Sequence, residues 1–197
     1  VQKSFFRNLV AAFFAAIILI KNHTAPKVEK TQWGSLFLRC AFGTLGILCN
    51  FYAIDHLLVA DASILNKLSP FFAIIFSFLL LKEKIKPAQA MCVILAFVGC
   101  LFVVKPGFEN AHLIPALIGV CGGLGAGIAY TMVRKMGTHG VKGPVIVFYF
   151  SCFSCIIVIP WIVFHYQPMS LRQLLTLLLA GLFAAGGQFT ITAAYTY

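Results

Sequence analysis

The chain has 197 residues, 61% of them hydrophobic and only 10% Asp, Glu, Lys or Arg, with a formal net charge of +10. A soluble domain carries about 25% charged residues, and five acids with fifteen bases cannot clothe a globule of this size in a solvated surface. A soluble enzyme, a disordered chain and a nucleic-acid binder are excluded, because the bases fall in short clusters between apolar runs.

A bilayer core about 30 Å thick needs roughly 20 apolar residues per helix. Seven segments meet or approach that length: 5–20, 34–57, 62–81, 88–104, 112–133, 144–164 and 174–196. The dividers carry turn and charge signals, among them residues 21–30, 82–87, Lys105-Pro106-Gly107, 134–144 and 165–173. Continuous apolar runs such as 71–81 do not alternate in polarity, so a β-barrel is excluded. The expected fold is an all-α integral membrane protein, a polytopic helical bundle with seven transmembrane helices in this stretch. Lys3 and Arg7 before the apolar run 9–20 imitate a signal peptide, but Lys21-Asn22-His23 follows it where small residues would mark cleavage.

Orientation follows from the bases. The dividers after segments one, three and five hold Lys21, Lys27, Lys30, Lys82, Lys84, Lys86, Arg134, Lys135 and Lys142, nine in all. The other side holds four: Lys3, Arg7, Lys105 and Arg172. The first set is therefore expected in the cytoplasm, so the chain enters segment one from outside. That orientation, a first residue other than Met and an end inside an apolar run are all expected of a piece of a longer protein with one further helix before segment one.

A shift of 141 residues places segment two on segment seven and pairs Leu36 with Leu177, Leu38 with Leu179, Phe42 with Phe183, Gly46 with Gly187 and Ala53 with Ala194. The score is little above what apolar composition supplies. The spacing matters more: a repeat of five helices inserts its second copy upside down, and inverted repeats are a transporter architecture.

The stretch from Ala53 to Pro70, then Leu79-Leu80-Leu81-Lys82-Glu83, then Gln89 to Gly99 resembles the EamA-type repeat of the drug/metabolite transporter superfamily. Pro70 matches its helix-four proline, Glu83 its glutamate at the cytoplasmic end of that helix, and Gly99 its glycine-containing helix five. The resemblance implies that residues 1–105 are a first repeat lacking its first helix, and 112–197 the first three helices of a second, inverted repeat. It covers helices two to eight of ten. It also implies a multi-pass cell-membrane protein, with the bacterial inner membrane as the expected location.

Ionisable and amide side chains at membrane depth are expensive and are functional candidates by default. Lys67 follows Asn66 and precedes Pro70, whose missing N–H frees the Asn66 carbonyl. A cavity-lining site of Asn66 and Lys67 is one reading, and a lysine snorkelling to the outer interface is the other. Segment two carries Gly43, Gly46, Asn50, Ala53 and Leu57 on one stripe. Segment five carries Gly119, Gly122 or Gly123, Ala126 and Tyr130, and segment seven Gly181, Ala184, Gln188, Thr192 and Tyr195. Their small residues, Gly46 and Gly187 among them, serve close helix packing. Asn50, Tyr130 and Gln188 put hydrogen-bonding groups on those faces, either as interhelical glue or as substrate contacts. Pro70 and Glu83 are expected to be structural, Glu83 through a contact to a neighbouring loop or as part of a solvated charge cluster.

The function expected is transport of a small metabolite by alternating access between two inverted repeats, without a catalytic residue, a cofactor, a metal or nucleic acid. The bilayer is its other partner. Lys67 favours an anionic or zwitterionic solute, while proton coupling, exchange and facilitated passage all stay open. Two other classes compete. A seven-helix receptor rests on the helix count alone. An acyltransferase-like enzyme rests on His56 and Asp61, which have the His-x4-Asp spacing without a glycine-rich phosphate-binding segment after them. The pair Cys152 and Cys155 has redox or metal spacing, but no second pair accompanies it, and packed membrane cysteines are expected.

Overall fold

The structure, a computed structural model, describes residues 1–104 and 113–196. The Lys105-Pro106-Gly107 divider and the loop expected on the outer side lie outside the described residues. Among the described residues eight α-helices follow one another: α1 Gln2–Lys21, α2 Trp33–His56, α3 Val59–Asn66, α4 Ser69–Leu81, α5 Pro87–Val104, α6 Leu113–Thr138, α7 Gly143–Phe164 and α8 Leu171–Thr196. A 3-10 turn, Lys30–Gln32, leads into α2. No strand occurs among the described residues.

Among the described residues six spans are long and apolar enough to cross a membrane, namely α1, Lys30–His56, Val59–Leu81, α6, α7 and α8. The seventh expected segment is the shorter apolar helix that begins at Pro87. Helix ends run further than the charge signals implied. Lys3 and Arg7 lie within α1, and Arg134 and Lys135 lie within the final turns of α6. The third segment, expected as one helix, is two, with α3 ending at Asn66 and α4 starting at Ser69. Pro70 lies in the first turn of α4, where its missing N–H costs no helical bond.

The chain divides into two compact units, Val1–Ala41 with Met132–Tyr197, and Phe42–Thr131. In the first, α1 packs on α7 and α8. Its inward stripe is Ser4, Asn8, Ala11, Ala15 and Leu19, small residues at helical spacing. Helix α8 answers with Gly181, Ala185, Gln188 and Thr192. A Cβ on Gly181 would stand 3.0 Å from Val10 Cγ2 and 3.3 Å from the Phe6 carbonyl, so glycine lets α8 approach α1 closely here. The large apolar side chains Phe13, Ile20, Phe164 and Phe183 point outward. Lipid tails are as apolar as leucine, so burial supplies no drive; small-residue packing and hydrogen bonds must hold such helices together.

The second unit is organised on α6. Gly122 and Gly125 face α2: a Cβ on Gly46 would lie 3.0 Å from the Gly122 carbonyl and 3.1 Å from the Ala126 nitrogen. A second stripe, Gly119, Gly123 and Gly127, faces α3 and α4. Thr131 continues it, donating from Oγ1 to the Ala73 carbonyl at 3.3 Å and to its own Gly127 carbonyl at 3.0 Å. The apolar core here is Leu65, Leu68, Phe72, Cys100 and Ala116, with Phe97 edge-on to Phe72 at 5.1 Å. Sequence spacing offered Gly122 or Gly123 as one stripe. The helix uses both, on different faces.

Candidate functional site

Lys67 does not sit inside a continuous helix. It caps the C-terminus of α3, with φ −70° and ψ −3°, and its side chain is exposed. Its backbone N–H bonds to the carbonyls of Ser63 and Ile64, and that of Leu68 to Leu65. On the other side of the break, the N–H groups of Phe71 and Phe72 both go to the Leu68 carbonyl. The Lys67 carbonyl therefore receives no backbone hydrogen bond among the described residues, and Pro70 has no N–H to offer that of Asn66. Orphaned carbonyls within a membrane span are tolerated only where protein or water answers them.

The break is seated on α6. A Cβ on Gly123 would lie 2.9 Å from the Leu65 carbonyl, 3.7 Å from Leu68 Cβ and 3.7 Å from the Ser69 nitrogen. One residue earlier, a Cβ on Gly122 would lie 3.2 Å from the Asn50 nitrogen. Asn50 on α2 and the break at Asn66 and Lys67 thus pack against different faces of α6, within one unit. Asn50 and Asn66 are half-buried. The break offers the Lys67 ammonium, the Asn66 amide and the Lys67 carbonyl.

The remaining expected residues fall elsewhere. Tyr130 is half-buried on α6, seven residues beyond Gly123, about 10 Å along the axis at about 1.5 Å per residue. Gln188 belongs to the other unit, where it is buried and donates from Nε2 to Thr192 Oγ1 at 3.3 Å. This is a contact along its own helix rather than between helices. The α8 stripe runs through Ala185 rather than Ala184. Gly187 is exposed and a Cβ there would meet nothing within 4 Å among the described residues, whereas one on Gly46 would meet the α6 backbone. Pro70 is exposed at the start of α4. Glu83 is half-buried just past Lys82, which closes α4 in the left-handed region at φ 57°.

Packing exposes a second polar region that the sequence reading passed over. Arg39 is 2% exposed on α2 and its guanidinium carbon stands 3.9 Å above the centre of the Phe150 ring. Asn8 on α1 donates from Nδ2 to Ser154 Oγ on α7 at 2.9 Å and to the Ser4 carbonyl at 3.0 Å. Ser151, one turn below Ser154, is fully buried with no hydrogen-bond partner for its Oγ among the described residues. An arginine within an apolar segment was the available signal for Arg39. Asn8 had one too, a lone amide four residues from a serine. In the same unit a cavity of about 720 Å³ opens between α1, α8 and the α6–α7 turn; there Lys142 Nζ donates to Thr24 Oγ1 at 3.2 Å.

The rival chemistries find no geometry. His56 stacks on Tyr52 at 4.1 Å and its Nδ1 lies 2.9 Å from the Tyr52 carbonyl; it shares no hydrogen bond with Asp61 among the described residues. The seven cysteines are free thiols, and Cys155 Sγ contacts the Phe5 carbonyl at 3.9 Å. No group of three metal-ligating side chains occurs among the described residues.

A family model described as "EamA-like transporter family" matches residues 1–105. The pseudopaline exporter CntI of Pseudomonas aeruginosa (strain UCBPP-PA14) is 32% identical over 197 residues, covering 98% of this chain and 67% of the relative. Solute carrier family 35 member G1 of Homo sapiens is 26% identical over 209 residues, covering 98% of this chain and 57% of its own. A riboflavin transporter of Brucella anthropi is 25% identical over 139 residues, covering 71% and 48% respectively.

Proposed function

This chain belongs to the EamA-like transporter family, and from that premise we propose that it carries a small polar solute through a site at the broken span Val59–Leu81. That it is a multi-pass membrane transporter of small metabolites, and not an enzyme, follows from the family and the named relatives. The proposal concerns where the solute is held and what kind it is.

The observation that carries it is the break in the span at Asn66 and Lys67, between the end of α3 and the start of α4, seated on Gly123. Broken helices whose open ends line a cavity are a recurring substrate site in transporters. A cation there suits a solute bearing an anionic group. Tyr130 and Gln188 stay in the proposal as contacts further along the path, and Pro70 as the residue that keeps the break open. The two repeats, 1–105 and 112–197, would supply the alternating access. The loops bearing Lys21 to Lys30 and Arg134 to Lys142 would face the cytoplasm.

The test is Lys67→Met in protein expressed from its complete reading frame and reconstituted in proteoliposomes. Methionine keeps much of the stem and removes the charge. Loss of a charge-assisted hydrogen bond, worth about 1.5–3 kcal/mol, lowers solute affinity about ten- to hundredfold. Lys67→Arg is expected to fail as well, because a planar guanidinium does not replace a compact ammonium in a shaped site. A lysine that only snorkels would leave both variants at wild-type transport for matched insertion, which would remove Lys67 from the site.

A further inference from the structure

We propose that the cavity between the end of α1, the end of α8 and the α6–α7 turn binds an anionic phospholipid, its phosphate on Lys142 and the start of its acyl chains on the apolar floor. The inference goes beyond the solute path and uses none of its residues. The cavity, about 720 Å³, is lined wholly by residues of the first unit.

Its walls follow from the local sequence. Helix α6 closes on a left-handed glycine, Gly140 at φ 79°, whose N–H bonds to the Gly137 carbonyl while that of Val141 bonds to the Met136 carbonyl. This paired closure ends the helix within two residues and delivers Lys142 to the rim. Gly137 and Gly143 seat the two sides of the turn on α8. A Cβ on Gly137 would stand 2.7 Å from the Thr196 carbonyl oxygen, and one on Gly143 3.5 Å from Thr192 Cγ2.

The lining is amphiphilic. Ile18, Leu19, Phe189 and Ala193 make an apolar floor, and Asn22, Thr24 and Lys142 a polar rim. Ile18 and Asn22 are four residues apart, so α1 passes from floor to rim in about 6 Å. At the rim Lys142 Nζ donates to Thr24 Oγ1 at 3.2 Å, a bond that uses one of its three donors and fixes where the charge stands. Residues 21–32 and 134–143 carry six bases and one acid, Glu29. Basic pockets between helices at a bilayer surface favour anionic head groups. A choline head group would bring a further positive charge to this end, and inorganic phosphate would answer the rim but not the floor.

The experiment is equilibrium binding to protein purified in mild detergent from its complete reading frame. The probes are dioctanoylphosphatidylglycerol, dioctanoylphosphatidylcholine and inorganic phosphate. The phosphatidylglycerol is expected to bind about fivefold or more tightly than the phosphatidylcholine, the factor that one base near a membrane surface supplies. Inorganic phosphate at equal concentration should not displace it. Lys142 is exposed, so Lys142→Met disturbs no core; it should abolish the preference, and Lys142→Arg should keep it. Lys86→Met removes an equal charge in the other unit and should change nothing. Ala193→Phe, which fills the floor, should weaken both lipids. Equal binding of the two lipids by the wild-type protein overturns the proposal and needs no variant to fold. A preference that survives Lys142→Met, or falls equally with Lys86→Met, overturns it as well. Displacement by inorganic phosphate would make this a site for a free anion and overturns the lipid.

Discussion

Gly127→Ala tests the packing on which the broken span rests. An ideal Cβ at residue 127 would stand 2.4 Å from Phe72 Cβ, 3.0 Å from the Ala73 nitrogen and 3.1 Å from the Phe72 carbonyl carbon. Carbon atoms rest at about 3.5–4.0 Å, and none of these three can swing away as a side-chain tip would. Helix α4 must retreat from α6 by about 1 Å. Overpacking of this kind costs about 1–3 kcal/mol, against a helix-propensity gain of about 1 kcal/mol for alanine over glycine. The retreat also strains the Thr131 bond to the Ala73 carbonyl, already 3.3 Å long; such interhelical bonds average about 0.6 kcal/mol in membranes. The net expectation is destabilisation by about 1–2 kcal/mol. Gly187→Ala makes the same chemical change where a Cβ meets nothing within 4 Å, and should stabilise by about 0.5–1 kcal/mol. Reversible SDS unfolding of both variants in mixed micelles reads the difference, expected to be about 2 kcal/mol. Equal stability of the two would refute the assignment of α6 as the platform for α3 and α4.

Two further outcomes follow from the first unit and from the charge pattern. A double-mutant cycle with Asn8→Ala and Ser154→Ala should give a coupling of about 0.6–1.7 kcal/mol, whereas Ser151→Ala, which deletes a buried hydroxyl with no partner, should be neutral or stabilising in the same unfolding assay. A cysteine at position 138 in a cysteine-free background should react with an impermeant thiol reagent only from the cytoplasmic side. Labelling in intact cells would reverse the proposed orientation.

Class, segmentation and family were legible because they depend on composition and order alone. Apolar runs of helix length and 10% charge leave no soluble alternative, and the order of Pro70, Glu83 and Gly99 carries the family resemblance. The faces were not legible. In a helix apolar all round, hydrophobic periodicity is silent about which side meets protein and which meets lipid. Hence Ala185 rather than Ala184 faces inward on α8, Gly122 and Gly123 serve different neighbours, and a Cβ on Gly187 meets nothing within 4 Å among the described residues although its paired position, Gly46, lies close against α6. Pro70 announced that a carbonyl would be freed, but not that the whole span would part at Lys67, because a proline in a first turn and a proline kinking a long helix look alike in sequence. Only the close seat of Leu65 on Gly123 distinguishes them. Arg39 shows the same limit: its charge was visible, but its place over the Phe150 ring depends on the packing of two helices distant in the chain. The chain by itself determines that it enters the membrane and in what family; which polar groups then share an interior is decided by the close approach that its glycines permit.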